Sequence, residues 1–208
     1  MNKEILMATT NSHKTERFKS YLTPLGLSVV NFSDIGKKIE VIEDGRTPEE
    51  NALKKAKAGY DATGMPAFGV DYWLYIKGIP DEIQPGPNVR RIFVGSGGER
   101  KEATDEEMID YYTKLINRLG GRTQGLWNSA VVLITGFGNS YTGSFERETI
   151  LTSTISPNKT EGEPLNSIQI DSRTGKYYTD LTKDEWLMLQ DKRERGYIRF
   201  FEKHLDEI

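Results

Sequence analysis

A chain of 208 residues carrying 28 Lys and Arg against 31 Asp and Glu has a formal net charge of −3, which argues against polyanion binding by a generally basic surface. With no cysteine, disulfide frameworks, thiolate nucleophiles and cysteine metal sites are excluded. Ten Tyr, eight Phe and three Trp supply core material, and no run approaches the roughly 20 apolar residues of a membrane span, so the expectation is a cytoplasmic globule that binds neither membrane nor nucleic acid polymer.

Ile5 to Thr9 reads as a buried strand, and Phe18, Tyr21, Leu22 and Leu25 then recur at helical spacing until Gly26. Leu27 to Phe32 is a second strand. Thr47-Pro48-Glu49-Glu50 is a capping box with proline at the first helical position; its helix should run to about Thr63 and stop at Gly64. Ala67 to Ile76 reads as a strand pair or one long bent strand, followed by a loop through Pro80, Pro85, Gly86 and Pro87.

A second box, Thr104 to Glu107, opens a helix with Met108, Tyr112, Leu115 and Leu119 on one face, closed by Gly120-Gly121. Leu126 to Ile155 has the pattern of a meander or hairpins with turns at Gly136 to Asn139 and around Gly143, and Ile168 to Ile170 is a short strand. Thr182 to Glu185 caps a long final helix. Gly95 to Gly98 and Gly136-Phe137-Gly138 read as turns, since neither has the strand–helix setting of a dinucleotide loop. The order predicts a mixed α/β protein in one domain, residues 1–208.

Two histidines leave little room for a histidine-rich metal site, so any metal should be held by oxygen ligands, which favours Mg²⁺ or Mn²⁺. Three clusters carry chemistry. Thr9-Thr10-Asn11-Ser12-His13-Lys14 lies at a strand-to-helix junction, where free N–H groups attract anions and a lysine is misplaced unless an anion faces it. Taken alone, that segment reads more simply as a polar N-cap with a solvated lysine. Glu43 to Ala56 puts Asn51 and Lys55 four apart on one helical face beside small Ala52 and Ala56, with Glu43 on the preceding loop, or is an ordinary acidic loop and lysine-rich face. Asp71 interrupts an apolar strand in Val70-Asp71-Tyr72-Trp73-Leu74, a costly place for a charge unless it is paired or metal-bound; a strand-end capping role is the alternative.

Together these segments resemble one family. Ala8 to Lys14 is similar to an A-T-x-N-x-x-K signature, and Glu43 to Ala56 to E-x-G-x-T-x-x-E-N-A-x-x-K-A, both found in the inosine and xanthosine triphosphate pyrophosphatases. Asp71 matches the second aspartate of that family's D-D-S-G-L motif. The resemblance implies a mixed, elongated α/β sheet with flanking helices and two lobes around a nucleotide cleft. It further implies hydrolysis of non-canonical nucleoside triphosphates to monophosphate and pyrophosphate, Mg²⁺ (or Mn²⁺) as cofactor, and a homodimer. By the same resemblance Thr9, Thr10, Asn11, Lys14 and Lys55 would hold phosphates, Glu43 and Asp71 the metal, and Asp71 would accept the proton, with Lys14 and Lys55 assisting.

Departures fall beside these matches. Val70 replaces the first aspartate, and Tyr72-Trp73 replace Ser-Gly, so the rings either pack in the core or offer a stacking surface to substrate. The family's base-gripping F-G-Y-D and S-H-R-G elements are not recognisable; Glu194-Arg195-Gly196 is a partial match to the second, making Arg195 a candidate base reader or a solvated helix arginine. The expected activity is therefore a pyrophosphatase with altered base selectivity, and the alternative is a nucleotide-binding or interaction protein of the same fold without catalysis.

Overall fold

The computed structural model describes residues 3–94, 98–160, 162–190 and 193–208. Its strands are β1 (Lys3–Met7), β2 (Leu27–Asn31), β3 (Ala67–Ile76), β4 (Arg91–Val94), β5 (Glu99–Glu102), β6 (Arg122–Ile134), β7 (Ser140–Thr152) and β8 (Gln169–Ile170). Its α-helices are α1 (Ser12–Leu22), α2 (Pro48–Thr63), α3 (Asp105–Arg118), α4 (Lys183–Gln190) and α5 (Arg193–Lys203). The turn expected at Gly95 to Gly98 falls mostly outside the described residues, as does the junction between α4 and α5.

Local chemistry sets the helix ends. α2 stops at Gly64, whose φ of 70° is left-handed and whose N–H donates to the Tyr60 carbonyl. Thr104 and Glu107 form a reciprocal capping box at α3. Thr182 and Glu185 do the same before α4, at 2.9 and 3.2 Å. At α2 only half of the box closes: Thr47 Oγ1 accepts from Glu50 N–H at 3.2 Å, but the Glu50 carboxylate reaches Arg46 N–H at 2.7 Å. The loop preceding α2 is thereby tied to its first turn.

Six strands form one sheet in the order β2-β1-β3-β6-β7-β8, and β4 and β5 make a separate pair. β1 runs parallel to both β2 and β3, whereas β7 and β8 are antiparallel, so the sheet is mixed and the predicted α/β class holds. The region read as a strand pair or one bent strand is the single strand β3, and Gly143, where a second turn is expected from the sequence, lies inside the continuous strand β7. The β4–β5 hairpin was not anticipated: Glu-Arg-Lys-Glu has no apolar alternation to announce a strand. It pairs Ile92 with Lys101 and Arg91 with Glu102 instead.

The chain divides into two compact units. The first comprises Met1–Tyr72, Ser129–Phe145 and Gln190–Ile208. Alternation along β3 sends Phe68, Val70 and Tyr72 to one face, where they join an aromatic core with Phe18 of α1 and Tyr197 and Phe201 of α5. Phe18 lies 5.0 Å from Tyr197 and Phe68 5.0 Å from Phe201, both edge-to-face. On the opposite face α2 lays Ala52 and Ala56 against Ala130, Val132 and Ile134. The second unit, Trp73–Asn128 and Glu146–Leu189, is built around Leu74, Ile76, Met108, Tyr112, Ile116, Leu151 and Ile168. Within it the Arg147 guanidinium stacks 4.6 Å from the Tyr178 ring.

Close approach of α2 to β3 depends on Gly69. A Cβ there would lie 2.1 Å from the Ala52 carbonyl oxygen and 2.8 Å from the Ala56 nitrogen, both backbone atoms of α2 that cannot move without moving the helix. Gly69→Ala should therefore cost about 3 kcal/mol or more by overpacking. Urea unfolding reads this directly, and a midpoint equal to wild type would show that α2 can shift freely off the strand.

Candidate active site

The residues singled out in the three clusters fall largely in the first unit. Ala8 N–H donates to the Phe68 carbonyl at 2.8 Å, extending the β1–β3 pairing, so the chain leaving β1 enters its turn beside the first residues of β3. In that turn Asn11 N–H donates to Thr9 Oγ1 at 3.1 Å, and Asn11 Oδ1 accepts from Lys14 N–H at 3.0 Å as the N-cap of α1. Thr9 is half-buried, and Thr10 and Asn11 are exposed. Beneath the cap, Thr15 donates its hydroxyl to the Asn11 carbonyl and accepts from Asn31 Nδ2, each at 3.0 Å, which fixes the turn to the end of β2.

Asp71 follows Gly69 on the α2 face of β3. Its carboxylate is buried, with Oδ1 2.7 Å from Lys55 Nζ and Oδ2 accepting from Asn51 Nδ2 at 3.2 Å. The four-residue spacing of Asn51 and Lys55, noted in the sequence, is what lets two adjacent turns of α2 reach one carboxylate. Lys55 Nζ also meets Glu43 Oε2 at 2.9 Å, and the Val70 carbonyl stands 3.4 Å away. Two acidic groups 28 residues apart in sequence thus face a single ammonium. Glu43 is the more exposed partner, its side chain retaining 47% of its accessible surface against 6% for Asp71.

Lys14 approaches from the start of α1, its ammonium 5.1 Å from the centre of the Tyr72 ring. Burial holds its pKa below the ordinary 10.5, the positive charge of Lys55 adds to that depression, and Asp71 and Glu43 oppose it. The lysine that looked misplaced in a first helical turn therefore lies within the field of two carboxylates, over an aromatic face. Val70, where the resembled motif has an aspartate, is buried in the apolar core on the same strand face as Tyr72.

These contacts bring Lys14, Glu43, Lys55, Asp71 and Tyr72 together, with Thr9 and Asn11 in the turn that leads to Lys14. Trp73 begins the second unit, where its ring is the nearest neighbour of a Cβ built at Gly86, at 3.9 Å. Arg195 is exposed on α5. Asn51 stands out in the sequence for its spacing to Lys55 and as a fixed position of the resembled motif; its fully buried amide, linking Asp71 to the Gly45 N–H, emerges only in three dimensions. Gly45 is explained by the same contact, because a Cβ there would lie 2.5 Å from Asn51 Oδ1.

A mixed sheet with this arrangement of flanking helices defines a known fold. It superimposes on the solved Ham1 protein of Staphylococcus aureus with a TM-score of 0.75 over 98% of both chains, at 21% identity. The chain belongs to the Ham1 family, whose model matches residues 5–162. It is 32% identical over 117 residues to a dITP/XTP pyrophosphatase of Lactiplantibacillus plantarum, covering 56% of this chain and 52% of that one. It is 36% identical over 108 residues to a dITP/XTP pyrophosphatase of Symbiobacterium thermophilum, covering 52% of this chain and 53% of that one. The chain thus spans about half the length of the curated relatives it matches. Among the described residues no helix is long and apolar enough to cross a membrane.

The depressed Lys14 pKa has a direct consequence for stability. A cation whose folded pKa lies below its unfolded value penalises folding while charged, and the penalty is relieved as pH rises through the folded pKa toward 10.5. Across that interval the urea midpoint of wild type should rise relative to Lys14→Met, which carries no such group. Parallel pH profiles for the two proteins would contradict the desolvated placement of Lys14.

Proposed function

We propose that residues 1–208 work as one Mg²⁺-dependent pyrophosphatase that converts non-canonical nucleoside triphosphates to the monophosphate and pyrophosphate. The observation that carries this reading is the convergence of Lys14, Lys55, Glu43 and Asp71 in the first unit, on the segments that match the pyrophosphatase motifs. The names of the relatives, dITP/XTP pyrophosphatases, support the same substrate class. The homodimer implied by the family resemblance belongs to this proposal, as does altered base selectivity, which rests on Tyr72, Trp73 and the absent base-gripping motifs.

The donor set suits a hard divalent cation. Glu43 and Asp71 already place carboxylate oxygens 2.9 and 2.7 Å from one positive centre, and no group of three or more acidic or histidine side chains is available among the described residues. Two carboxylates with the remaining positions left to phosphate oxygens and water is the usual arrangement for Mg²⁺. Bound there, the ion would supply charge neutralisation to the triphosphate and lower the pKa of water.

The protein's own groups account for the rest. Lys14 and Lys55 offset the negative charge that builds up on the bridging oxygen as it leaves, and the backbone N–H groups at the start of α1 add donors for phosphate. Asp71 orients water and takes its proton while the water oxygen bonds to the α-phosphorus and the bond from that phosphorus to the bridging oxygen breaks. Pyrophosphate departs, and the base is not touched by the chemistry.

Incubation with Mg²⁺ and a panel of ordinary, deaminated and uracil-containing triphosphates should release pyrophosphate, and Asp71→Asn should lower kcat about 10³-fold with the fold retained. Release of orthophosphate, or no turnover of any member at high enzyme, would overturn the reading. The packing of Tyr72 under Lys14 keeps a second reading in play, a binding protein of the same fold; calorimetric triphosphate binding without cleavage would identify it.

A further inference from the structure

We propose that Asn51 is a positioning residue that sets Glu43 and Asp71 in register for the reaction. This inference deepens the pyrophosphatase reading and rests on it. Its amide is fully buried and both ends are engaged: Oδ1 accepts from the Gly45 N–H at 2.7 Å, and Nδ2 donates to Asp71 Oδ2 at 3.2 Å. The Gly45 N–H can only donate, so it fixes which end of the amide is oxygen and turns the NH₂ toward the carboxylate. One Asp71 oxygen meets Asn51 and the other Lys55, from adjacent turns of α2, which fixes the plane of its carboxylate.

The other arm acts on Glu43. Gly45 lies two residues beyond it, and its N–H bond to Asn51 holds the loop against α2 while the Glu43 carboxylate reaches Lys55. One side chain therefore couples the loop carrying one acidic group to the strand carrying the other. Aspartate, leucine and serine do not reproduce this. Aspartate keeps the acceptor for Gly45 but opposes Asp71 with a second acceptor, and leucine supplies neither bond. Serine is too short to span the two partners. The close fit of Gly45, whose Cβ would meet Asn51 Oδ1 at 2.5 Å, reflects the same constraint from the loop side.

The test compares wild type with Asn51→Asp, Asn51→Leu and Gly45→Ala in steady-state pyrophosphate release, thermal melting and amide hydrogen exchange at Gly45 followed by NMR. A displacement of about 1 Å at a reacting group can cost about 100-fold in rate. Asn51→Asp should show a kcat loss of that order with KM within about threefold of wild type and Gly45 exchange little changed. Asn51→Leu should lose kcat similarly and also speed Gly45 exchange at least about tenfold, because the amide loses its acceptor. Gly45→Ala removes neither carboxylate and should lower kcat by about tenfold or more by pushing the Glu43 loop off Asn51 and the first turn of α2, where its Cβ would meet Asn51 Oδ1 at 2.5 Å and Glu50 Cβ at 2.9 Å.

Asn51→Asp or Gly45→Ala with kcat within threefold of wild type overturns the inference. So does a kcat loss that only tracks the fraction of unfolded protein. If Asn51→Asp does not fold, Gly45→Ala decides alone. An inactive wild type would instead reject the pyrophosphatase reading, which separates the two failures.

Discussion

The ammonium of Lys55 and the carboxylate of Asp71, 2.7 Å apart and almost fully removed from solvent, are the interaction on which the chemistry proposed for the first unit depends. A buried Asp71 carboxylate deprived of Lys55 would be costly, whereas Lys55 deprived of the Asp71 charge keeps Glu43, so Asp71→Asn leaves the ammonium paired. Removing one partner from such a pair commonly costs several kcal/mol, whereas the intact pair contributes little net stability because both ions have given up water. A pair of that kind is better explained by what it positions than by what it stabilises. Glu43 reaches the same ammonium from a more exposed loop, and Lys14 sits in the field of all three. The cluster holds two positive and two negative groups, and the proposed triphosphate with its divalent cation would exchange partners within it.

The placement of that cluster follows from how closely a helix can lie on a strand. Ala52 and Ala56 give α2 a face without bulk, and Gly69 removes the last side chain from the facing strand. Only at that spacing do Asn51 and Lys55 reach Asp71 directly. On the other side of β3 the demand is reversed, and rings from α1 and α5 fill the space over Phe68 and Val70. The strand's alternation therefore separates a polar, small-residue face from an apolar, aromatic one, and Tyr72 carries the aromatic side up to Lys14.

Much of this was legible in the sequence where the signal is local. The limits of α2 follow from Thr47, Pro48 and Gly64, each acting on neighbouring backbone groups. Asp71 was conspicuous because a charge in an apolar strand needs a partner, and the four-residue spacing of Asn51 and Lys55 pointed to a shared face. The family resemblance placed Glu43 and Asp71 on one metal, but the direct contacts of Lys55 with both and of Asn51 with Asp71 were not legible, since they join positions 43, 51, 55 and 71 through a loop of no regular structure. Glu50 shows the same limit at short range: its sequence position suits a capping box, yet its carboxylate turns to the Arg46 N–H. The β4–β5 hairpin was missed because its second strand is four charged or polar residues, held by cross-strand pairing that no hydrophobic period announces.

The most direct measurement is anomalous scattering from a crystal grown with Mn²⁺ and a non-hydrolysable nucleoside triphosphate. A manganese peak in contact with the Glu43 and Asp71 carboxylates, with phosphate oxygens on Lys14, is the result required of a polyphosphate site in the first unit. A peak held by other residues, with Lys55 still bridging both carboxylates undisturbed, would contradict it.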